Sequence, residues 1–315
     1  MTERLSARRC YYLGMKPLQH ICFFLFLAGL IGAASNAHAQ TFPGDEWDYF
    51  DEPEDAGFSS ARLAEARAFG DEIQTEALMI VVDGKIAYEW GNVTRKLRTH
   101  SIRKSVLSAM YGNYVAAGVI DLEETLGDLG ISDNPPLSEA ELAATLRDCL
   151  KSRSGIYHPA LYESERMKEL KPERHTQAAG THWYYNNFDF NVAGTIFMQQ
   201  TGKDLYEAIE DEIAAPIGMQ HYSAADGRYV EGEESVHRAY PFRVSTHDLA
   251  RFGWLMLNNG NWDGRQVVPA DWVAESTRYH SDAALYESDG YGYMWWVARD
   301  HNKFPHLKNV EVPEG

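Results

Sequence analysis

The stretch "HSIRKSVLSAM", residues 100–110, places Ser101 three positions ahead of Lys104 at the head of an apolar run of small residues. On a helix that spacing puts both side chains on one face, a single turn apart, with Cβ atoms about 5–6 Å from each other. A serine hydroxyl is a poor nucleophile until a base takes its proton. A lysine serves as that base only if burial or nearby positive charge lowers its pKa from about 10.4. The continuation "SVLSAMYGNYVAAGV" has the character of a buried helix, and Arg95, Lys96 and Arg98 bring positive charge just before it. A serine at a helix start also offers its own N–H, at the positive end of the helix dipole, to an anion forming on a substrate. The spacing alone also describes a capped, solvated helix end.

Around this segment the chain reads as β-rich at its ends and helical between. "GFSSARLAEARAFGDEIQT" predicts a helix capped by Ser59 or Ser60, with Leu63, Ala66 and Phe69 near helical spacing. "ALMIVVDGKIAYEWGNV" sets two strand-like runs around Asp83-Gly84, a strong hairpin signal. From Ser101 to about Leu129 the pattern is helical, and to about Tyr240 helices alternate with polar loops such as "SDNPPLSEAE". "STHDLARFGWLMLNNGNW" predicts a helix that starts at Ser245 with Asp248 behind it and stops at Asn259-Gly260. "DGYGYMWWVARD" alternates Tyr291, Tyr293 and Trp295 in strand fashion. One compound α+β domain follows, an antiparallel sheet flanked by helices with an inserted helical region over about 112–240.

Composition bounds the function. The 315 residues are 44% hydrophobic and 12% aromatic, a globular balance. Residues 1–39 read as a secretory leader: Lys16 leads, Ile21 to Ala33 is apolar, and Ala37-His38-Ala39 is a small-x-small cleavage site, with Met15 a candidate start. The apolar stretch is shorter than the roughly 20 residues of a membrane span, so a secreted or periplasmic chain of residues 40–315 is expected. Removal of Cys10 and Cys22 leaves Cys149 alone, without an internal disulfide partner, and its helix position suits a small core residue. The net charge is −17, and the leader carries Arg4, Arg8, Arg9 and Lys16 against Glu3, leaving −20 on the remainder. Such acidity opposes nucleic acid and anionic membrane as partners.

A second constellation is "GTHWYYNNFDFNVAG", which offers Tyr185 and Asn187 as a Tyr-x-Asn, with Tyr184-Tyr185-Asn186 as another register and Tyr111-Gly112-Asn113 as a further match, read as packing. A tyrosine beside a lysine can have its pKa lowered by the cation and then relay the serine's proton. Asn187 would donate to a substrate carbonyl. An aromatic loop wall with a buried asparagine is the alternative. No Gly-x-Ser-x-Gly elbow and no His-Glu-x-x-His zinc motif is present, the histidines are scattered, and His100 would point away from Ser101.

"SIRKS", "TLRDCLKSRSGI", "WYYNNFDFNVAG", "PIGM", "STHDLARFGWLMLNNG" and "YGYMWWV" stand in an order that resembles the serine β-lactamase and penicillin-binding superfamily over about residues 55–300. The resemblance is closest to its class C-like esterases, peptidases and 6-aminohexanoate-dimer hydrolases. It implies Ser101 as acylated nucleophile, Lys104 as activating partner, Tyr185 as general base and then acid, and Asn187 as substrate contact. "FDFNVAG" fixes the Tyr185 register. It also implies that Ser154-Gly155 is a turn near the site and that Trp183, Trp295 and Trp296 line the pocket or the core. A small-molecule ester, amide or β-lactam is the expected partner, with no cofactor and no metal. The family's third element, a Lys/His-x-Gly strand that supplies a second oxyanion donor, has no match in "ARDHNKFPHLKNVEVPEG", so a C-terminally truncated enzyme is expected. A non-catalytic binding or scaffolding protein that kept the fold is the alternative. Substrate identity and oligomeric state are not legible.

Overall fold

Asp83 and Gly84 take φ values of 49° and 82°, the left-handed pair that a two-residue type I′ turn requires. That turn joins strand β1 (Ala77–Val82) to β2 (Lys85–Gly91) in antiparallel register, Leu78 opposite Trp90 and Val82 opposite Lys85. A side chain at Gly84 would also meet the Thr41 carbonyl at 1.7 Å, so glycine is required there twice over. The structure, a computed structural model, describes residues 41–298. The leader read at residues 1–39, and the chain beyond residue 298 where the third element was sought, lie outside the described residues.

Before the hairpin, helix α1 (Ser60–Glu72) begins at Ser59, whose hydroxyl accepts from the Arg62 N–H. Its buried face differs from the expected one. Leu63 and Gly70 are buried and Phe69 is exposed, because Gly70 lets the Trp90 indole lie against the helix, where a Cβ would come within 2.7 Å of it.

Next come β3 (Leu97–Arg98) and α2 (Ile102–Ala116). Helix α2 stops well short of Leu129. Gly118, at φ 68°, ends it, and beyond it Asp121 and Thr125 bind the backbone N–H groups of Glu123 and Asp128. Such side chains compete with helical bonding. Ile120, Leu122, Leu126 and Leu129 still enter the core, from turns.

The elements that follow are α3 (Glu139–Leu142), α4 (Leu146–Leu150), α5 (Glu165–Leu170), α6 (Asn187–Thr201) and α7 (Leu205–Ile209), the last continuing as a π-helical turn over Glu210–Ala214. Among the described residues no named strand falls between Arg98 and β4 (Arg243–Val244), only isolated bridges such as Gly227 to Phe242. Helix α8 (Thr246–Leu257) starts as expected, Ser245 Oγ accepting from the Asp248 N–H at 3.1 Å. The Asp248 carboxylate does not return to the cap. It accepts from the N–H groups of Gln220, His221 and Tyr222 at 2.8–3.0 Å and so fastens that loop to α8.

The chain closes with β5 (Asn261–Trp262), β6 (Arg265–Gln266), α9 (Ala270–Ser276), β7 (Ser281–Asp282), β8 (Gly290–Tyr291) and β9 (Trp296–Val297). The run expected as one alternating strand over "DGYGYMWWV" is a hairpin instead. Tyr291 pairs with Trp296, the Gly292 N–H donates to the Trp295 carbonyl, and Met294 turns the chain at φ 61°. A side chain at Gly292 would meet the Ser276 carbonyl at 2.2 Å, which ties the turn to α9.

The class is therefore α+β, with four small antiparallel sheets among the described residues. Helix α2 runs through the core. Tyr111 Oη donates to the Ala193 carbonyl of α6 at 2.6 Å, and the Trp272 indole of α9 packs on Gly112 while donating to the Ser108 carbonyl at 2.7 Å. Tyr111 and Gly112 are thus packing residues, as read from the sequence.

Candidate active site

Ser101 sits at the N-cap of α2 but does not cap it. Its backbone is already helical (φ −79°, ψ −16°), its hydroxyl binds no helix N–H, and the residue is exposed. A capping serine has extended backbone and spends its oxygen on the second or third N–H. His100, before it, is held at φ 47°, with its carbonyl accepting from an Arg103 NH group at 2.7 Å. Strained backbone of this kind costs on the order of 1–3 kcal/mol and persists where surrounding structure enforces it. The enforcement is visible: Thr99 is fixed by N–H and hydroxyl bonds to the Phe242 carbonyl, and Arg103 clamps the next turn. Among the described residues the Ser101 N–H has no backbone acceptor, and it stands at the positive end of the α2 dipole.

Lys104, one turn on, is 2% exposed. Its Nζ lies 3.4 Å from Ser101 Oγ and donates to Tyr185 Oη at 2.7 Å. Burial pushes the Lys104 pKa well below the ordinary lysine range, and the neighbouring Arg103 guanidinium lowers it further. One effect opposes this, since Nζ lies 4.0 Å from both the Tyr185 and Phe190 ring centroids. Each such contact is worth about 0.5–2 kcal/mol, against an effective burial penalty of several kcal/mol per ion. No described carboxylate pairs with Lys104, so desolvation outweighs these contacts and the amine gives up its proton more readily than an exposed lysine.

Tyr185 is also buried, its ring packed on Phe190, Tyr291 and Trp296. Its pKa is raised, chiefly by burial, with hydrogen bonds to Ser101 and Trp296 and the charge of Arg103 pulling the other way. This corrects the expectation that Lys104 would lower it. Burial of the phenol outweighs the lowering contributions, and Lys104 is not among them.

The segment carrying Tyr185 is fixed by a buried polar knot that the sequence showed only through Ser154-Gly155. Ser152 Oγ donates to the Tyr184 carbonyl at 2.6 Å and accepts from the Asn186 N–H at 3.0 Å. Ser154 Oγ donates to Asp189 at 2.5 Å, and Asn186 Nδ2 donates to the Ile156 carbonyl and to Asp189. Gly155, at φ 73°, makes the turn between them. Burial raises the Asp189 pKa well above the carboxylate range, with the Ser154 and Asn186 hydrogen bonds pulling the other way.

Asn187 lies in the same segment and is 1% exposed. Its Nδ2 donates to the Leu161 and Tyr162 carbonyls at 3.1 and 2.5 Å, while Oδ1 is buried with no partner. The donor expected for a substrate carbonyl is thus spent on the backbone, and the atom left open is an acceptor. Trp183 stacks edge-on with Tyr286 and Trp296, and Trp295 stacks on Phe252, so both pack beside the site. Cys149 is fully buried, and burial raises its thiol pKa, which suits a core residue.

This arrangement of an uncapped serine, a buried lysine one turn away and a buried tyrosine joined to the lysine lies within the span matched by the Beta-lactamase family model, residues 61–307. The chain belongs to the beta-lactamase family. Similar solved structures share its fold at low identity. A Bacillus anthracis protein assigned as a 6-aminohexanoate-dimer hydrolase matches with a TM-score of 0.58 at 21% identity, over 75% of this chain and 68% of that one. A Bacteroides dorei protein assigned as a beta-lactamase gives 0.55 at 17%, over 70% of each chain. An octameric penicillin-binding protein homologue from Pyrococcus abyssi gives 0.56 at 16%, over 75% of this chain and 64% of that one. Among curated proteins none matches. At the level of this beta-lactamase family, the chain has a serine-hydrolase fold.

Arg103 is the site residue that sequence reasoning missed. It is 1% exposed, lies between the Tyr162 and Tyr240 rings at 5.1 and 5.2 Å, and two of its nitrogens have no described partner. A buried cation without a carboxylate is costly, and here its charge adds to burial in lowering the Lys104 pKa. Arg103→Met is expected to move the acid limb of the pH–rate profile upward, because the Lys104 pKa rises when its positive neighbour is removed. A profile measured from pH 5 to 10 that keeps its limb in place would refute this role.

Proposed function

We propose that this chain is a serine hydrolase that forms an acyl-enzyme at Ser101 on an ester, amide or β-lactam carbonyl of a small molecule. The observation that carries the reading is Lys104 Nζ, buried and within reach of both Ser101 Oγ and Tyr185 Oη. In acylation the neutral amine draws the proton from Ser101, directly or through the Tyr185 hydroxyl. The serine oxygen bonds to the carbonyl carbon as the C=O π pair moves to oxygen, and the Ser101 N–H donates to that oxyanion. Collapse breaks the bond to the leaving group, which takes a proton from Tyr185 as Lys104 Nζ returns the serine proton to the phenol oxygen, leaving both groups as they began. Water then repeats the steps and frees the acid.

A fluorophosphonate probe followed by peptide mass mapping tests the assignment; the adduct belongs on the peptide containing Ser101, and its absence there rejects the reading. Tyr185→Phe keeps the ring packing and removes only the hydroxyl, so turnover of a p-nitrophenyl ester is expected to fall about 10²-fold, the low end of proton-transfer catalysis. Export through the leader read at residues 1–39 belongs to the same proposal. Sequencing the N-terminus of chain recovered outside the cytoplasm should begin at Gln40.

A further inference from the structure

Three arginines with no described counter-ion converge on one cleft beside the nucleophile. The cleft holds about 640 Å³ and is walled by Arg98, Arg228 and Arg243 together with Tyr162. Arg98 in β3 stands directly opposite Arg243 in β4, and like charges placed directly across an antiparallel pair destabilise it. Arg228 joins them from the next segment, where Gly227 bridges Phe242 and the Arg228 N–H donates to the Pro241 carbonyl. Two carboxylates also wall the cleft, but each is paired elsewhere, Asp226 with Lys96 at 2.7 Å and Glu231 with Arg238 at 3.5 Å. Among the described residues the three guanidiniums have no partner, on a chain whose net charge is −17. A positive concentration is thus held on an acidic protein by strand register, against local electrostatics.

The cleft adjoins the site by chain and by contact. Arg98 is three residues before Ser101, so their Cα atoms lie within about 11 Å. Tyr162, on the cleft wall, stacks over Arg103 and accepts the Asn187 amide through its carbonyl.

We infer that this cleft is an oxyanion subsite, and that the hydrolase takes substrates bearing a carboxylate or phosphate group at a distance from the scissile carbonyl. Planar guanidiniums bind both groups through paired N–H donors, and a bound oxyanion relieves the Arg98–Arg243 repulsion. The subsite rests on the hydrolase reading for its purpose, while its existence is testable without turnover.

Titration calorimetry of the full chain as Ser101→Ala, with glutarate and with inorganic phosphate at low salt, measures the subsite directly. Saturable binding of either is expected, the tighter of the two naming the group. It should weaken at least about tenfold in Arg98→Ala/Arg243→Ala and persist in Arg98→Lys/Arg243→Lys, which keeps the charge and controls for folding. Arg228→Ala alone should weaken it in the same direction. With Ser101 intact, the preference for mono-p-nitrophenyl glutarate over p-nitrophenyl butyrate, as a ratio of kcat/KM, should fall about tenfold on introducing Arg98→Ala/Arg243→Ala. No binding of either anion, or binding indifferent to the arginines, overturns the subsite. Binding without any Ser101 adduct upholds the subsite and rejects the hydrolase reading, whereas an adduct without anion binding does the reverse.

Discussion

Ser101→Ala is expected to lower ester turnover by about 10⁴- to 10⁶-fold, the range seen when a catalytic serine is deleted, while leaving the melting temperature within about a degree of the parent. The separation of the two effects is the point. Serine at a helix N-terminus ordinarily contributes about 0.5–2 kcal/mol by capping. Ser101 makes no cap bond, and its residue is exposed, so removing its oxygen leaves no helix N–H unsatisfied. A variant that loses activity and stability together would identify Ser101 as a structural residue. A variant that keeps its activity would move the nucleophile elsewhere. Turnover of p-nitrophenyl acetate and a calorimetric melt on the same preparation distinguish these results.

Lys104→Arg is expected to reduce turnover by about 10³- to 10⁴-fold, since a guanidinium with a pKa above about 12 cannot accept the serine proton. The substitution replaces a titratable amine with a fixed cation, so the loss reports on the missing base. Lys104→Met should be as inactive, yet its effect on stability has the opposite sign to that of most core substitutions. The Lys104 pKa is depressed in the folded chain, so between that value and about 10.4 the unfolded chain holds the additional proton. Wild-type stability therefore rises with pH through this window, and the buried amine weakens the fold below it. Replacing the amine with methionine removes that slope and leaves the protein more stable at pH 7. Urea unfolding at pH 7 and pH 9 measures the sign. A wild type whose stability does not rise over that interval, or a methionine variant less stable at pH 7, would contradict a neutral Lys104. Burial likewise holds the Tyr185 pKa up, so its hydroxyl, which accepts from Lys104 Nζ at 2.7 Å, keeps its proton more firmly than an exposed phenol.

Local chemistry made much of this legible in advance. Asp83-Gly84 specified its turn because few other pairs reach two successive left-handed conformations. Ser245 marked the start of α8 because an extended cap residue offering oxygen to the third N–H is a short-range event. The Ser101–Lys104 spacing fixed their shared helix face, whereas the Tyr185 register came from the family resemblance and not from local chemistry. Where the sequence reading went astray, contacts from distant segments decided the outcome. Apolar residues after Ala116 have the same periodicity in a helix as in the turns that Gly118 begins. "YGYMWWV" alternates like a strand, but α9 presses against Gly292 and folds it back.

The amino-acid sequence by itself determined which side chains are available and how they sit along one helix or one turn, because those relations are set by backbone geometry within a few residues. Only the tertiary structure decided their chemistry. Burial and the neighbouring Arg103 lowered the Lys104 pKa, the Leu161 and Tyr162 carbonyls took the Asn187 donor, and the pairing of β3 with β4 brought Arg98 against Arg243. Desolvation and Coulomb interaction depend on distances between residues far apart in the chain, and those distances exist only once it has folded.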